Sequence, residues 1–437
     1  MFWLLFALEG CGGGPSTEAA TAADTGESPP LDSNIDDSAP EDSTSSLPEG
    51  GPYARIVTSN RYDEIGRNVQ VSSNLGNSGT PLLLVESWAG EEAILRDAPA
   101  AGDVGLRDEG AQYLLATSGA YSFSLGAVGD ADGDGIDDVI AVSTTLEYDF
   151  ETNTESYTPT WKLYLGPLPL LHAESSVTGE SGSDSHPSYS AGDVTGDGLP
   201  DTLAVGYALA KGTVFRMPLE GNLSIADADV LLTGSSMDVS APGDLDGDGV
   251  SDLLISANGD TLLFVGPVAF PSDAEDATLP FAASADRTFD TLPAGDVNGD
   301  GYDDLLAQHY YEEVFVLPGP FTAGDPAATA IATFQPSDTD DRLYFSARGG
   351  DANGDGYADT LLGDADATYL FYGPASGVVD PGTADAVFTG EYGRVSPCED
   401  SFLPDADGDG RRDLLLVSFD WEEFAEEGGA DFLYTAP

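Results

Sequence analysis

Gly243-Asp244-Leu245-Asp246-Gly247-Asp248-Gly249-Val250-Ser251-Asp252 runs directly into Leu253-Leu254-Ile255. The first part reads as a tight acidic loop and the second as a short apolar strand. The pattern Asp-x-(Asp/Asn/Thr)-Gly-Asp-Gly-x-x-Asp, always followed by an apolar run, begins at Asp130, Asp193, Asp244, Asp296, Asp351 and Asp405. The spacings are 63, 51, 52, 55 and 54 residues. A further copy stands 56 residues before Asp130, at Asn74-Leu75-Gly76-Asn77-Ser78-Gly79-Thr80-Pro81-Leu82. It keeps the outline and the following run Leu82-Leu83-Leu84-Val85, but every carboxylate is gone.

Each unit carries a second landmark, a short apolar run that ends in proline. Examples are Leu163-Tyr164-Leu165-Gly166-Pro167, Leu263-Phe264-Val265-Gly266-Pro267 and Leu370-Phe371-Tyr372-Gly373-Pro374. Another strand-like run precedes each motif and one more separates the proline from it, which makes four short strands per unit. A period near 55 residues with four strands is the pattern of a β-propeller blade. The expected fold is therefore all-β, a seven-bladed propeller over residues 52–437. The last unit stops at Thr435-Ala436-Pro437, one strand short. Gly51-Pro52-Tyr53-Ala54-Arg55-Ile56-Val57-Thr58 reads as the missing strand, so the two chain ends are expected to share one blade and close the ring.

The loops are expected to hold calcium. That ion takes six to eight hard oxygen ligands. Positions 1, 3 and 5 of a tight loop can turn side-chain oxygens inward, position 7 can offer its carbonyl, and position 9 another carboxylate. The fixed glycines supply the left-handed backbone the turn needs. The ligand sets read this way are Asp130, Asp132, Asp134, Ile136 and Asp138; Asp193, Thr195, Asp197, Leu199 and Asp201; Asp244, Asp246, Asp248, Val250 and Asp252; Asp296, Asn298, Asp300, Tyr302 and Asp304; Asp351, Asn353, Asp355, Tyr357 and Asp359; and Asp405, Asp407, Asp409, Arg411 and Asp413. Six calcium ions follow, one per intact loop. Crowded carboxylates repel one another until a cation enters, so binding should be coupled to folding. An EF-hand would need a Glu at position 12 and flanking helices, whereas position 12 here lies in runs such as Val139-Ile140-Ala141-Val142.

With these motifs in place the units resemble FG-GAP repeats, the blades of the integrin α-subunit N-terminal propeller and of many bacterial surface proteins. The resemblance covers about residues 52–437 and rests on the Gly-Asp-x-x-Gly-Asp-Gly core. Phe123-Ser124-Leu125-Gly126 and Gly166-Pro167 echo the elements of the family name. It implies calcium loops between the first two strands of a blade, ligands on the opposite face, and a binding or adhesion role.

Composition agrees with an extracellular module. The chain has 437 residues, 78 Asp+Glu against 14 Lys+Arg, and a formal net charge of −64. Nucleic acid and an anionic lipid surface are bound through dense cations, so neither is an expected partner. Two cysteines, Cys11 and Cys398, make no disulfide framework. Residues 1–10 contain Phe2-Trp3-Leu4-Leu5-Phe6-Ala7-Leu8, too short to span a bilayer and suited to a signal peptide. Leu8-Glu9-Gly10-Cys11 resembles a bacterial lipobox, which makes Cys11 the lipidated first residue of the mature chain. Residues 11–51 are rich in Ser, Thr, Pro, Ala, Gly and acids, and are expected to be a disordered tether with a reach of about 35 Å. The expectation is a cell-envelope lipoprotein of the outer membrane or cell surface, monomeric and held to the membrane only through its lipid.

No catalytic constellation stands out. The three histidines, His172, His186 and His309, have no zinc-ligand spacing, and there is no Gly-x-Ser-x-Gly elbow, Walker loop or dinucleotide fingerprint. A non-enzymatic binding module for a protein or glycan is expected. A carbohydrate-active enzyme or lectin using the central depression, and a structural envelope protein, are the alternatives. Candidate partner contacts are aromatics on the hairpins between second and third strands: Tyr148, Phe150 and Tyr157 on an insertion from about Ser143 to Thr160, and Trp421 and Phe424 on one from about Ser418 to Gly429. Trp88, Tyr310 and Tyr311 occupy the corresponding places in other units.

Overall fold

The computed structural model describes residues between Ala54 and Thr435, with internal gaps, the longest being 58–68, 179–188, 269–278, 282–289 and 419–429. The signal peptide and tether expected over residues 1–51, with Cys11, lie outside the described residues. The architecture is an all-β propeller. Among the described residues the helical elements are Pro326–Thr329, Ile225–Asp227 and Pro381–Thr383.

Among the described residues the strands form seven antiparallel meanders, each a separate sheet. The first strands of these sheets are Val69–Ser72, Ala120–Gly129, Tyr189–Gly192, Asp238–Gly243, Asp290–Gly295, Phe345–Ser346 and Ser396–Leu403. Second strands are apolar on both faces because both faces are covered. Leu82 and Leu84 pack with Leu125 and Val139 of the next sheet. Leu83 and Val85, pointing the other way, pack with Leu403 and Leu415 of the last sheet. Leu305 and Ala307 likewise meet Leu254 and Leu263 on one side, while Leu306 meets Leu362 and Phe371 on the other. The core is thus a series of layers between neighbouring sheets, and each Leu fully buried there contributes about 1.5–3 kcal/mol.

Neighbouring sheets follow one another in chain order, and Ser396–Leu403 lies against Val69–Ser72. Ala54–Val57 pairs antiparallel with Ala430–Thr435, Ala54 opposite Leu433 and Val57 opposite Ala430. The final sheet therefore takes one strand from near the start of the chain.

Two details depart from the sequence expectation. Four sheets have four strands, but three have a fifth. Gly102–Gly105, Asn222–Ser224 and Gly377–Val379 each pair parallel with the outermost strand of the sheet before their own. Each comes from the connection after a blade's closing proline and ties that blade to its predecessor. In addition, the insertion expected in the hairpin from about Ser143 to Thr160 is taken up by the ladder itself. It lengthens both strands, Asp138–Asp149 and Thr154–Tyr164, and the ladder continues to the pair Asp149–Thr154.

Candidate metal centre

Each acidic loop joins the first strand of a sheet to the second. In the loop that begins at Asp244, the Asp244 carboxylate gathers the turn around itself. Its Oδ1 accepts from the Gly247 and Asp248 N–H groups (2.7 and 3.0 Å) and its Oδ2 from the Gly249 N–H (2.7 Å). Asp246 Oδ1 accepts from the Asp248 N–H (3.1 Å) and Asp248 Oδ1 from the Val250 N–H (2.9 Å). Gly247 and Gly249 have φ of 79° and 91°, the left-handed region in which glycine carries no Cβ penalty. Asp130, Asp193, Asp296 and Asp351 hold their loops in the same way, each accepting the N–H of position 6 at 2.8 or 2.9 Å.

Position 9 has a separate task. Asp138, Asp201, Asp252, Asp304 and Asp359 are at most 1% exposed. Asp252 Oδ2 accepts from the Leu245 N–H (2.7 Å) and Oδ1 from the Gly266 N–H (2.8 Å), which ties the loop to the Gly266-Pro267 turn 14 residues on. Asp138, Asp304 and Asp359 bond to Gly166, Gly319 and Gly373 in the same manner, at 2.8 to 3.0 Å. Burial pushes all five carboxyls up to about 6, neighbouring loop carboxylates add to the shift, and the hydrogen bonds oppose it.

Among the described residues the carboxylates converge in two loops. One oxygen each from Asp130, Asp132 and Asp138, and one each from Asp244, Asp246 and Asp252, lie within 4.8 Å of one another. Asp134 and Asp248, the position 5 acids, are not part of these groups. The loops that start at Asp193, Asp296 and Asp351 carry Thr195, Asn298 and Asn353 at position 3, so their oxygens come from fewer carboxylates. The Thr195 hydroxyl faces Asp201 Oδ1 at 3.5 Å, and Asn298 Nδ2 faces Asp304 Oδ1 at 3.4 Å. Of the last loop, Asp405, Arg411 and Asp413 are described, while Asp407 and Asp409 lie outside the described residues. A donor set of hard oxygens alone, with one exposed mouth and one buried acid, fits a hard divalent cation.

Successive loops touch. The Ser251 N–H donates to the Asp193 carbonyl (2.9 Å), Asp303 to Asp244 (3.4 Å) and Ala358 to Asp296 (2.9 Å). The position 7 side chains also reach the preceding loop. A Cβ added at Gly247 would lie 2.6 Å from the Tyr302 ring, and one at Gly299 2.4 Å from the Tyr357 ring. The loops that start at Asp193, Asp244, Asp296 and Asp351 thus form a continuous belt.

The position 8 acids were not among the candidates read from the sequence. Asp137 Oδ2 accepts from Ser72 Oγ (2.8 Å), Ser73 Oγ (3.0 Å) and the Asn74 N–H (2.9 Å), and Asn74 Nδ2 donates to the Gly135 carbonyl (2.7 Å). The loop that lost its carboxylates is therefore pinned by an acid of its neighbour. The doublets Asp137-Asp138 and Asp303-Asp304 were the available signal. A second unforeseen contact is the ion pair of Arg216 Nε with Asp197 Oδ2, at 3.6 Å.

Of the candidate partner contacts, Tyr148 is 41% exposed near the end of the long hairpin, and Tyr157 is half-buried on its return strand. Trp88, Phe150, Tyr310, Tyr311, Trp421 and Phe424 lie outside the described residues. No helix among the described residues is long and apolar enough to cross a membrane.

No protein-family model and no curated protein matches the chain. Solved structures with a similar architecture include BBS1N in complex with ARL6DN, at 7% identity and TM-score 0.46, covering 84% of this chain and 92% of that one. The β-propeller domain of Myceliophteria thermophila Cps50 (Swd1) is similar at 10% identity and TM-score 0.44, over 84% and 95% of the two chains. The V. cholerae biofilm matrix protein Bap1 is similar at 11% identity and TM-score 0.38, over 85% and 77%. These are likenesses of shape.

Proposed function

We propose that the chain is an exported, calcium-dependent β-propeller of the FG-GAP type, seven-bladed and closed through its N-terminal strand, that acts as a binding or adhesion module. The observation that carries the reading is the convergence of three carboxylate oxygens within 4.8 Å in the loops of Asp130 and Asp244. The same loop scaffold recurs at Asp193, Asp296 and Asp351. Calcium in each loop would neutralise carboxylates that otherwise repel one another along the belt. It would leave the position 9 acid in its place between loop and Gly-Pro turn.

Cys11 would carry the lipid and residues 11–51 would hold the propeller off the bacterial envelope. With the loops committed to metal, ligand recognition falls to the opposite end of the blades, where the hairpin that carries Tyr148 projects. An aromatic ring among acids suits a sugar face or a basic protein surface.

The test is a binding screen of the full chain in detergent against a glycan array and a panel of surface proteins, run in calcium and in chelator. The reading expects a ligand held in calcium, released by chelator, and weakened by Tyr148→Ser. Binding indifferent to calcium, or cleavage of an arrayed glycan, contradicts it.

A further inference from the structure

We propose that Arg216 makes the loop of residues 193–201 the last of the six to take up calcium, because its guanidinium already serves that loop as a cation. The inference rests on the calcium reading above and concerns one loop only.

Three features bear on this loop, of which the second, an uncharged position 3, is shared with the loops of Asp296 and Asp351. Arg216 Nε lies 3.6 Å from Asp197 Oδ2, pairing the position 5 acid with a charge from the same blade. The residue two before the closing proline is Leu165, Val265, Pro318 and Tyr372 in the four blades with a Gly-Pro turn, so of these five blades this one alone places a cation there. Position 3 is Thr195, an uncharged donor set toward Asp201 Oδ1 at 3.5 Å, where the loops of Asp130 and Asp244 have a third converging carboxylate. The third concerns the buried acid. Asp201 accepts the Thr195 N–H (2.9 Å) and hydroxyl, while Asp138, Asp252, Asp304 and Asp359 accept a glycine N–H from the Gly-Pro turn. The corresponding residue here is Met217, not glycine.

A calcium ion entering this loop meets one carboxylate fewer than in the loops of Asp130 and Asp244, as it does in the loops of Asp296 and Asp351, so the ion pair is what sets this loop apart. It must also draw Asp197 away from Arg216. Both effects weaken binding, and the second is removed by a single substitution.

The experiment is a calcium titration of the full chain by calorimetry. Wild type should show five stronger sites and one weaker. Arg216→Gln should tighten the weaker step by about threefold to fivefold, the range expected of a partly exposed ion pair, and leave the other five unchanged. Thr195→Asp, with Arg216 intact, should tighten it as well. Asp197→Asn should remove that step alone, which assigns it to this loop.

A single uniform class of six sites overturns the inference and leaves the calcium reading standing. A weaker step that persists in Asp197→Asn, or that Arg216→Gln does not move, also overturns it. Absence of calcium uptake by every loop overturns the calcium reading itself, and the inference with it.

Discussion

Asp252 is fully buried and bonded to two backbone N–H groups, yet burial still pushes its carboxyl up to about 6. Asp138, Asp201, Asp304 and Asp359 share that balance. A carboxyl whose folded pKa is raised stabilises the fold fully below its unfolded value, 3.8, and loses that contribution as pH rises through about 6. The chelated chain should therefore melt at a higher temperature at pH 5 than at pH 7. In calcium the order should reverse, because protons then compete with the cation. Scanning calorimetry at both pH values, with and without chelator, reads this directly. A chelated chain that is more stable at pH 7 would mean these acids are not held as described. From the sequence, position 9 is expected to be a metal ligand. Its bond to Gly266 could not be read, because the donor lies 14 residues away and is a backbone group without a residue signature.

The Gly-Pro turn is the element on which loop and blade meet. A Cβ at Gly266 would lie 2.6 Å from the Ser251 carbonyl oxygen, and Gly166, Gly319 and Gly373 meet the equivalent carbonyl at 2.6 or 2.7 Å. Gly266→Ala must push backbone against backbone and should cost about 1–3 kcal/mol in urea denaturation. A change below 0.5 kcal/mol would show that the turn can yield. The turns were legible because a Gly-Pro pair ends an apolar run after the acidic motif, as at Gly166-Pro167, Gly266-Pro267 and Gly373-Pro374. So were the second strands, since Leu82-Leu83-Leu84-Val85 and Leu414-Leu415-Leu416 are apolar on both faces. The fifth strands were not. Gly102-Asp103-Val104-Gly105 and Asn222-Leu223-Ser224 are short and half-polar, and their pairing is fixed by the neighbouring blade. The hairpin that carries Tyr148 was legible as extra length only, since alternating Thr, Glu and Tyr can extend a ladder or leave it.

At the scale of the molecule, a formal charge of −64 is gathered partly into one belt of touching loops between Asp193 and Asp359. Self-repulsion of that kind works against a compact fold, and divalent cations bound in the belt would offset it where it is densest. The repeats disclosed this belt because the motif occurs six times with little change. The exceptions that tune it, Asp137 beneath the carboxylate-free loop and Arg216 beside Asp197, depend on neighbours brought together only by the fold. The most direct measurement is a crystal structure grown in calcium, with anomalous scattering used to place the ions. The account predicts an anomalous peak at each of the six acidic loops, with oxygen ligands at about 2.3–2.6 Å, and none at Asn74 to Leu82. Loops of Asp130 and Asp244 that show no peak in a calcium-grown crystal would contradict it.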